Sequence, residues 1–280
     1  MGAEKQGFRI ATKNWPSKSR PMGNGWKEYD HSPVGIHAAM HDSLQALDTT
    51  CVDMYYLHAP DRENPFAATM KALDEEYRQG HFKRLALSNF RADEVEEVMR
   101  ICKENKYVEP VAYQGLYNSL VRTAEEELLP VLRKHGIAYY TYNPLAGGMF
   151  TGQYRPETQG DDANAHVEKG SRFDKGTWQG QAYRKRYFHD AYFAALDTIR
   201  AVAGKHQLTM NEIALRWCMH HSALSSRYND HVIFSASSIA HVQQNLADFE
   251  KGPLPSEVLD AVEKGWQAIK ASGDAPAYHF

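Results

Sequence analysis

The sequence predicts an α/β fold, a TIM (β/α)8-type barrel that is incomplete, with about six βα units and the first two missing. Three observations lead there. Short β-rich runs alternate with longer segments of helical period along the whole chain, and such alternation implies a parallel sheet with right-handed crossovers. No G-x-G-x-x-G follows an early strand, so the dinucleotide signature of the competing architecture, an open doubly wound sheet, is absent. Polar residues gather at strand C-terminal ends (Lys13, His58, Ser88-Asn89, Gln114 and Asn143), where a barrel builds its active site. A barrel needs eight strands. The first strand lies so close to Met1 that the absent pair belongs, most simply, at the N-terminal end.

Each element has its own reason. Phe8 to Lys13 is the first strand, and a loop rich in Pro, Ser and Gly runs from Asn14 to Asp30. Ser32-Pro33 opens a helix towards Leu47, with Ser at the N-cap and Pro at N1. Val52 to His58 is the second strand; Asn64-Pro65 opens a helix to about Gln79, with Gly80 as its C-cap. Arg84 to Ser88 is the third strand and Ala92 to Asn105 an amphipathic helix. Pro110 to Gln114 and Ile137 to Tyr142 are the fourth and fifth strands, around a helix from Thr123 to His135 that stops at Gly136. Val232 to Ala236 is the sixth, flanked by helices near 190–222, 240–249 and 256–271. One domain, 1–280, contains all of them. The long connection 147–187 has little apolar periodicity but carries Phe173, Trp178, Tyr183, Tyr187 and Phe188, which favours a lid over a linker.

Composition excludes several function classes. The 280 residues are 42% hydrophobic and 24% charged, with net charge -3, and the scattered basic residues argue against a nucleic-acid protein. No apolar run approaches the roughly 20 residues of a membrane helix, and the N-terminus lacks the apolar core of a signal peptide. Cys51, Cys102 and Cys218 are odd in number and widely spaced, which fits neither a disulfide framework nor a zinc cluster. A cytoplasmic protein without a membrane partner is expected.

Taken one at a time, the polar residues are ambiguous. By period two, Val52, Met54, Tyr56 and His58 share one face, the inward one if His58 faces the barrel mouth. Lys13 at a strand end can snorkel to solvent or join His58 in a polar cluster. Ser88-Asn89 and Ser237-Ser238 suit helix N-caps as well as ligand contacts, and Gln114 alone is the weakest signal. The small residues of Tyr142-Asn143-Pro144-Leu145-Ala146-Gly147-Gly148 let backbone N–H groups approach a phosphate, or simply make a tight turn. His37 and His41 have the i,i+4 spacing of a metal pair. No third ligand is evident, however, so a solvated helix face is expected and no metal. His220-His221 suits a helix end, and Asp161-Asp162 has no calcium pattern.

Together these segments resemble the aldo-keto reductase family. The resemblance rests on Val52-Asp53-Met54-Tyr55-Tyr56-Leu57-His58-Ala59-Pro60-Asp61, Leu87-Ser88-Asn89-Phe90, Tyr113-Gln114-Gly115-Leu116-Tyr117-Asn118, and Tyr142 to Gly148 continuing to Thr151-Gly152. Leu57 to Asp61 and Asn143 point to the branch of aflatoxin-aldehyde reductases. The resemblance covers essentially the whole chain. It implies a TIM barrel that reduces a small aldehyde or ketone with NADP(H) and no metal. It makes Lys13 and His58 catalytic, His58 also orienting the substrate carbonyl beside Tyr183 and Arg186. It assigns Ser88, Asn89 and Gln114 to the nicotinamide carboxamide, Tyr142 to stacking on the ring, and Asn143, Pro144, Leu145, Ala146, Gly147 and Gly148 to the pyrophosphate. Arg172 is implied as a further cofactor contact, and Ser237, Ser238, Gln244 and Asn245 as the adenosine-phosphate end.

Two departures qualify what the resemblance implies. Gln153 stands where a pyrophosphate-side lysine is expected. The family's Asp-Thr-Ala-x-x-Tyr-like segment, which carries the proton-donor Tyr and its Asp, has no counterpart. Leu47-Asp48-Thr49-Thr50-Cys51 looks similar but aligns with the passage before His58. Tyr56 lies roughly 6–7 Å deeper than His58 along the strand, a poor substitute. Two functions therefore stand: an NADPH-dependent carbonyl reductase whose activity the absent segment puts in doubt, and a catalytically impaired NADP-binding or partner-binding protein derived from one.

Overall fold

The computed structural model describes residues 6–20, 27–155 and 167–280. Among these residues six strands and nine α-helices follow in the order β1 (Ala11–Asn14), α1 (Pro33–Ala46), β2 (Val52–Leu57), α2 (Phe66–Arg78), β3 (Phe82–Ser88), α3 (Ala92–Asn105), β4 (Pro110–Leu116), α4 (Leu128–His135), β5 (Ala138–Tyr142), α5 (Trp178–Tyr187), α6 (Asp190–Lys205), α7 (Met210–His220), β6 (His231–Val232), α8 (Ile239–Phe249) and α9 (Ser256–Ser272). The strands lie in chain order in one sheet. Strands β1 to β4 pair in parallel, with Lys13 opposite Tyr56, Tyr56 opposite Ala86 and Ala86 opposite Ala112. Among the described residues no helix is long and apolar enough to cross a membrane.

The chain divides into two compact units. The first comprises Met1–Gly115, Glu126–Tyr140 and Tyr278–Phe280, the second Leu116–Glu125 and Thr141–Ala277. In the first unit Met54, Tyr56, Ala86, Ala112 and Ala138 form an apolar cluster with Tyr140 against it. Met54 and Tyr56 thus share a face, as their period requires, and the alanines of β3 to β5 leave room for the two rings. Helix α1 starts as its sequence dictates: Ser32 caps it by accepting from the Gly35 N–H at 3.1 Å, and Pro33 fills N1. Its Ile36 and Met40 are wholly buried, each contributing about 1.5–3 kcal/mol by burial. Gly115 is required in β4 because the Tyr139 ring lies where a Cβ would stand, 2.5 Å away.

The last three residues belong to this first unit. The Phe280 N–H donates to the Asn89 carbonyl at 3.2 Å, its carbonyl accepts from Arg62 at 2.7 Å, and its ring meets Trp15 edge-on at 5.7 Å. The Tyr278 hydroxyl accepts from the Ala92 N–H at 3.2 Å.

In the second unit α6 packs on α9. Gly265 permits the approach, since a Cβ there would sit 3.0 Å from that of Ala195. Helix α8 is capped by Ser238, which accepts from the His241 N–H at 3.2 Å. Ile239, Val242 and Leu246 nevertheless stay exposed on its surface.

Several boundaries differ from expectation. The first strand begins at Ala11 and not Phe8, whose ring is 64% exposed. Gly80 (φ 80°) follows the cap Gln79, the left-handed position one residue further on. The segment 123–135 splits into a 3-10 turn, Thr123–Glu125, and α4, because Arg122 and the Tyr117 hydroxyl both hold Glu125. The sixth strand is shorter than Val232 to Ala236: Ile233 still donates to Thr141, but Phe234 turns onto Phe249 and Ser235 onto Arg172. The stretch 190–222 is two helices, broken at Gln207 (φ 54°). Helix α5 is an addition inside the connection 147–187, where no helix is expected. Thr177 caps it, accepting from the Gly180 N–H at 2.9 Å, and Tyr187 buries. Residues 156–166 of that connection, Asp161 and Asp162 among them, lie outside the described residues.

Candidate active site

In the first unit the polar residues at the strand ends meet one another. Lys13 on β1 donates to the Gln114 side-chain carbonyl on β4, and its ammonium stands 5.2 Å from the centre of the Tyr56 ring. His58, the residue after β2, donates its N–H to the Asn14 carbonyl at 2.9 Å and sets its ring edge-on to Trp15 at 5.1 Å. Asn89, the residue after β3, is left-handed (φ 61°), a conformation Asn tolerates better than most residues. From there its amide donates to the His58 carbonyl at 2.8 Å and to the Ser88 hydroxyl at 3.0 Å. Lys13, His58, Ser88, Asn89 and Gln114 are thereby brought together.

The electrostatics follow from burial. Desolvation lowers the Lys13 pKa, since burial strips hydration from the ammonium and, among the described residues, no carboxylate pairs with it. Burial, and then the Lys13 charge, bring His58 down to about 4. At neutral pH that imidazole is uncharged, able to donate from one ring nitrogen and accept at the other.

His31 behaves similarly: burial outweighs nearby carboxylates and brings it to about 4. Both folded values lie below the ordinary 6.5. Between about pH 6.5 and 4 the unfolded chain therefore binds protons that the folded chain does not. Stability should fall as pH drops through that window, by up to about 1.4 kcal/mol per pH unit for each histidine. Asp30 and Asp61, held below the usual carboxylate range, add their loss only at more acid pH. Urea midpoints at pH 7 and pH 5 test this; equal midpoints would refute it.

In the second unit the turn after β5 is conformationally unusual. Asn143, Ala146, Gly147 and Gly148 take φ of 59°, 49°, 70° and 114°. The Ala146 N–H donates to the Asn143 carbonyl and the Gly148 N–H to that of Leu145, each at 2.9 Å. The Tyr183 ring from α5 covers Gly147 so closely that a Cβ there would stand 2.5 Å from it. The Tyr183 hydroxyl donates to the Asn143 side-chain carbonyl at 3.1 Å. Two guanidiniums flank that ring, Arg172 at 5.9 Å and Arg186 at 5.5 Å. Tyr142 stands half-buried at the strand end beside Asn143. Glycines in a tight turn with two arginines suit an oxyanion such as a phosphate.

The residues of α8 are less unified. Arg172 donates to Ser235 at 2.7 Å, two residues before Ser237. Ser237 faces His241, Ser238 serves as the cap, and Gln244 points along its own helix to Asp248 at 3.0 Å. Asn245 is buried. Sequence reasoning missed Asn14, whose buried side-chain amide has no hydrogen-bond partner among the described residues. Its place next to Lys13 was the available signal. Cys102 and Cys218 are buried thiols, both pushed up to about 12 by desolvation, so neither serves as a nucleophile.

The profile of the aldo/keto reductase family matches residues 2–267, and the chain is a member of that family. The match gives no support to an absent N-terminal segment. An aldo-keto reductase of Pseudocercospora fijiensis is 39% identical over 269 residues, covering 96% of this chain and 87% of its own length. One from Monascus ruber is 38% identical, covering 98% and 79%. Aflatoxin B1 aldehyde reductase member 2 of Rattus norvegicus is 36% identical, covering 94% and 71%.

Proposed function

We propose that the chain is an NADPH-dependent oxidoreductase that reduces an aldehyde or ketone to an alcohol. The observation that carries this reading is the Lys13–His58–Asn89–Gln114 cluster at successive strand ends in a member of the aldo/keto reductase family. The parallel pairing of β1 to β4 supports reading the sheet as that of the family's (β/α)8-type barrel. The relatives named for aflatoxin B1 aldehyde support an aldehyde substrate.

Each unit, taken by itself, offers donors that suit one part of a dinucleotide. The cradle over Gly147, with Arg172 and Arg186 beside it, suits phosphate oxygens, and the half-buried Tyr142 suits a flat ring. Ser88, Asn89 and Gln114 offer amides and a hydroxyl for a carboxamide. When bound, a reduced nicotinamide supplies the hydride. The chain's own residues stabilise the charge that develops on the carbonyl oxygen, and water supplies the proton that completes the alcohol. His58, uncharged at neutral pH, donates a hydrogen bond to the substrate carbonyl oxygen. Lys13 holds positive charge close to where negative charge develops.

A second reading, NADP(H) binding without efficient turnover, is favoured by one observation. Among the described residues no tyrosine hydroxyl bonds to Lys13. Tyr56 offers it only a ring face, and burial pushes that phenol up to about 12. NADPH titration followed by NADPH oxidation with a reactive aromatic aldehyde separates the two. Tyr142→Ala and Asn89→Ala should each weaken NADPH binding by roughly tenfold, the value of one stacking or hydrogen-bonding interaction. Unchanged affinity in both variants would overturn the cofactor assignment.

A further inference from the structure

Far from the strand-end cluster, three histidines converge on one carboxylate. His37 and His41 stand one turn apart on α1, Glu76 lies on α2, and His81 immediately precedes β3. The Glu76 side chain is completely buried. One of its oxygens, Oε1, is met by His37 Nδ1 and lies 3.9 Å from His41 Nε2; the other, Oε2, is met by His81 Nδ1. The His41 and His81 rings meet edge-on at 5.0 Å. Glu75, on the same helix, lies 3.5 Å from His37 Nε2.

The surroundings of Glu76 are unusual for a buried acid. Such a group ordinarily pairs with a lysine or arginine, yet among the described residues its ion-pair partners are imidazoles alone. The Tyr55 hydroxyl, also fully buried, has no hydrogen-bond partner. It is near enough for the Glu76 charge to add to the desolvation that raises its pKa. A buried carboxylate met by imidazole nitrogens beside an unpartnered hydroxyl offers the nitrogen and oxygen donor set that suits a divalent cation.

We propose that His41, Glu76 and His81 bind one divalent transition-metal ion of the zinc class, with water as the fourth ligand and His37 as a positioning residue on the carboxylate. The three ligand atoms already lie within 4.8 Å of one another. Bonds of about 2.0–2.2 Å place the ligand atoms of a tetrahedral site roughly 3.3–3.5 Å apart. The His41 ring is exposed and stands 3.9 Å from Glu76 Oε1, so it has room to turn towards a shared ion. Two imidazoles and one carboxylate select zinc, cobalt, nickel or copper over magnesium and calcium, which prefer all-oxygen sites. The i,i+4 histidine pair that lacks a third ligand in the sequence gains two of them in the fold.

The ion would clamp α1, α2 and the start of β3. Ser88, at the other end of β3, lies about 20 Å away by strand rise, so the site stands apart from carbonyl reduction and does not depend on that reading. Binding requires a neutral imidazole at each ligand and therefore weakens in acid.

The test uses full-length, tag-free, chelator-stripped protein titrated with zinc chloride by calorimetry, and with cobalt chloride by visible absorption. The expected result is one tight equivalent and the intense d–d bands of tetrahedral cobalt. His41→Ala, at an exposed position that folding does not need, should weaken zinc by at least ~100-fold, and Glu76→Gln similarly. His37→Ala should weaken it by ~10-fold, as loss of a positioning residue does. His220→Ala serves as the control and should change nothing. Zinc affinity unaltered in His41→Ala, or no tight equivalent in the unsubstituted protein, would overturn the proposal.

Discussion

Lys13→Met is expected to lower kcat for aldehyde reduction by ~10²–10³ while leaving the KM for NADPH little changed. Hydride arrival at a carbonyl carbon puts negative charge on oxygen, and a preorganised charge or donor aimed at that oxygen is worth about this much. Lys13 is the cation the fold holds nearest His58 in that cluster, and burial keeps solvent from screening it. A second readout separates electrostatics from damage. His58 sits at about 4 partly because of the Lys13 charge, so its NMR titration should move upward, towards the ordinary value, in the variant. A kcat equal to that of the unsubstituted protein would refute the role assigned to Lys13.

Arg216→Met should be the more damaging change for stability, by about 3 kcal/mol. Glu212 is a buried carboxylate on α7, and Arg216, one turn later, meets it at 2.7 Å. The same guanidinium donates to the carbonyls of Gly252 and Pro253 at 2.6 and 2.5 Å. Removing one partner of a buried pair leaves a desolvated charge, which is why such losses reach several kcal/mol. Lys251, 3.1 Å from Glu212, offsets part of it. These contacts also fix the C-terminal end of α8, whose own face buries little, so NADPH affinity should fall with stability. If the stranded charge is the cause, adding Glu212→Gln should restore a good part of the loss. A urea midpoint within experimental error of the parent would sink the prediction.

Much of the strand-end cluster was legible because a parallel sheet converts chain order into spatial order. Lys13, His58, Ser88-Asn89 and Gln114 each close an apolar run, and parallel register brings the ends of such runs together. Helix α5 was not legible. Its sequence, WQGQAYRKRY, has almost no apolar stripe, and beyond the local Thr177 cap it is secured by Tyr183 lying on Gly147, a residue distant in the chain. The Glu76–His81 pairing was hidden for the same reason. A buried glutamate on α2 reads as an ordinary polar residue until α1 supplies the histidines beside it. The left-handed turns at Asn89 and Asn143 lay between these extremes, since Asn permits that conformation without requiring it.

The placement of Tyr278 and Phe280 bears on the order in which the protein is made. Chains emerge from the ribosome N-terminus first, and completed segments begin to fold before the rest exists. Strands β1 to β3 therefore appear early, but the carbonyl of Asn89, the guanidinium of Arg62 and the edge of Trp15 must wait for Phe280, which follows the whole second unit in the chain. The first unit to begin is completed only after the second has been made. Until Phe280 has emerged, the Asn89 carbonyl, the Arg62 guanidinium and the Trp15 ring lack these contacts, so closure of the first unit follows synthesis of the second.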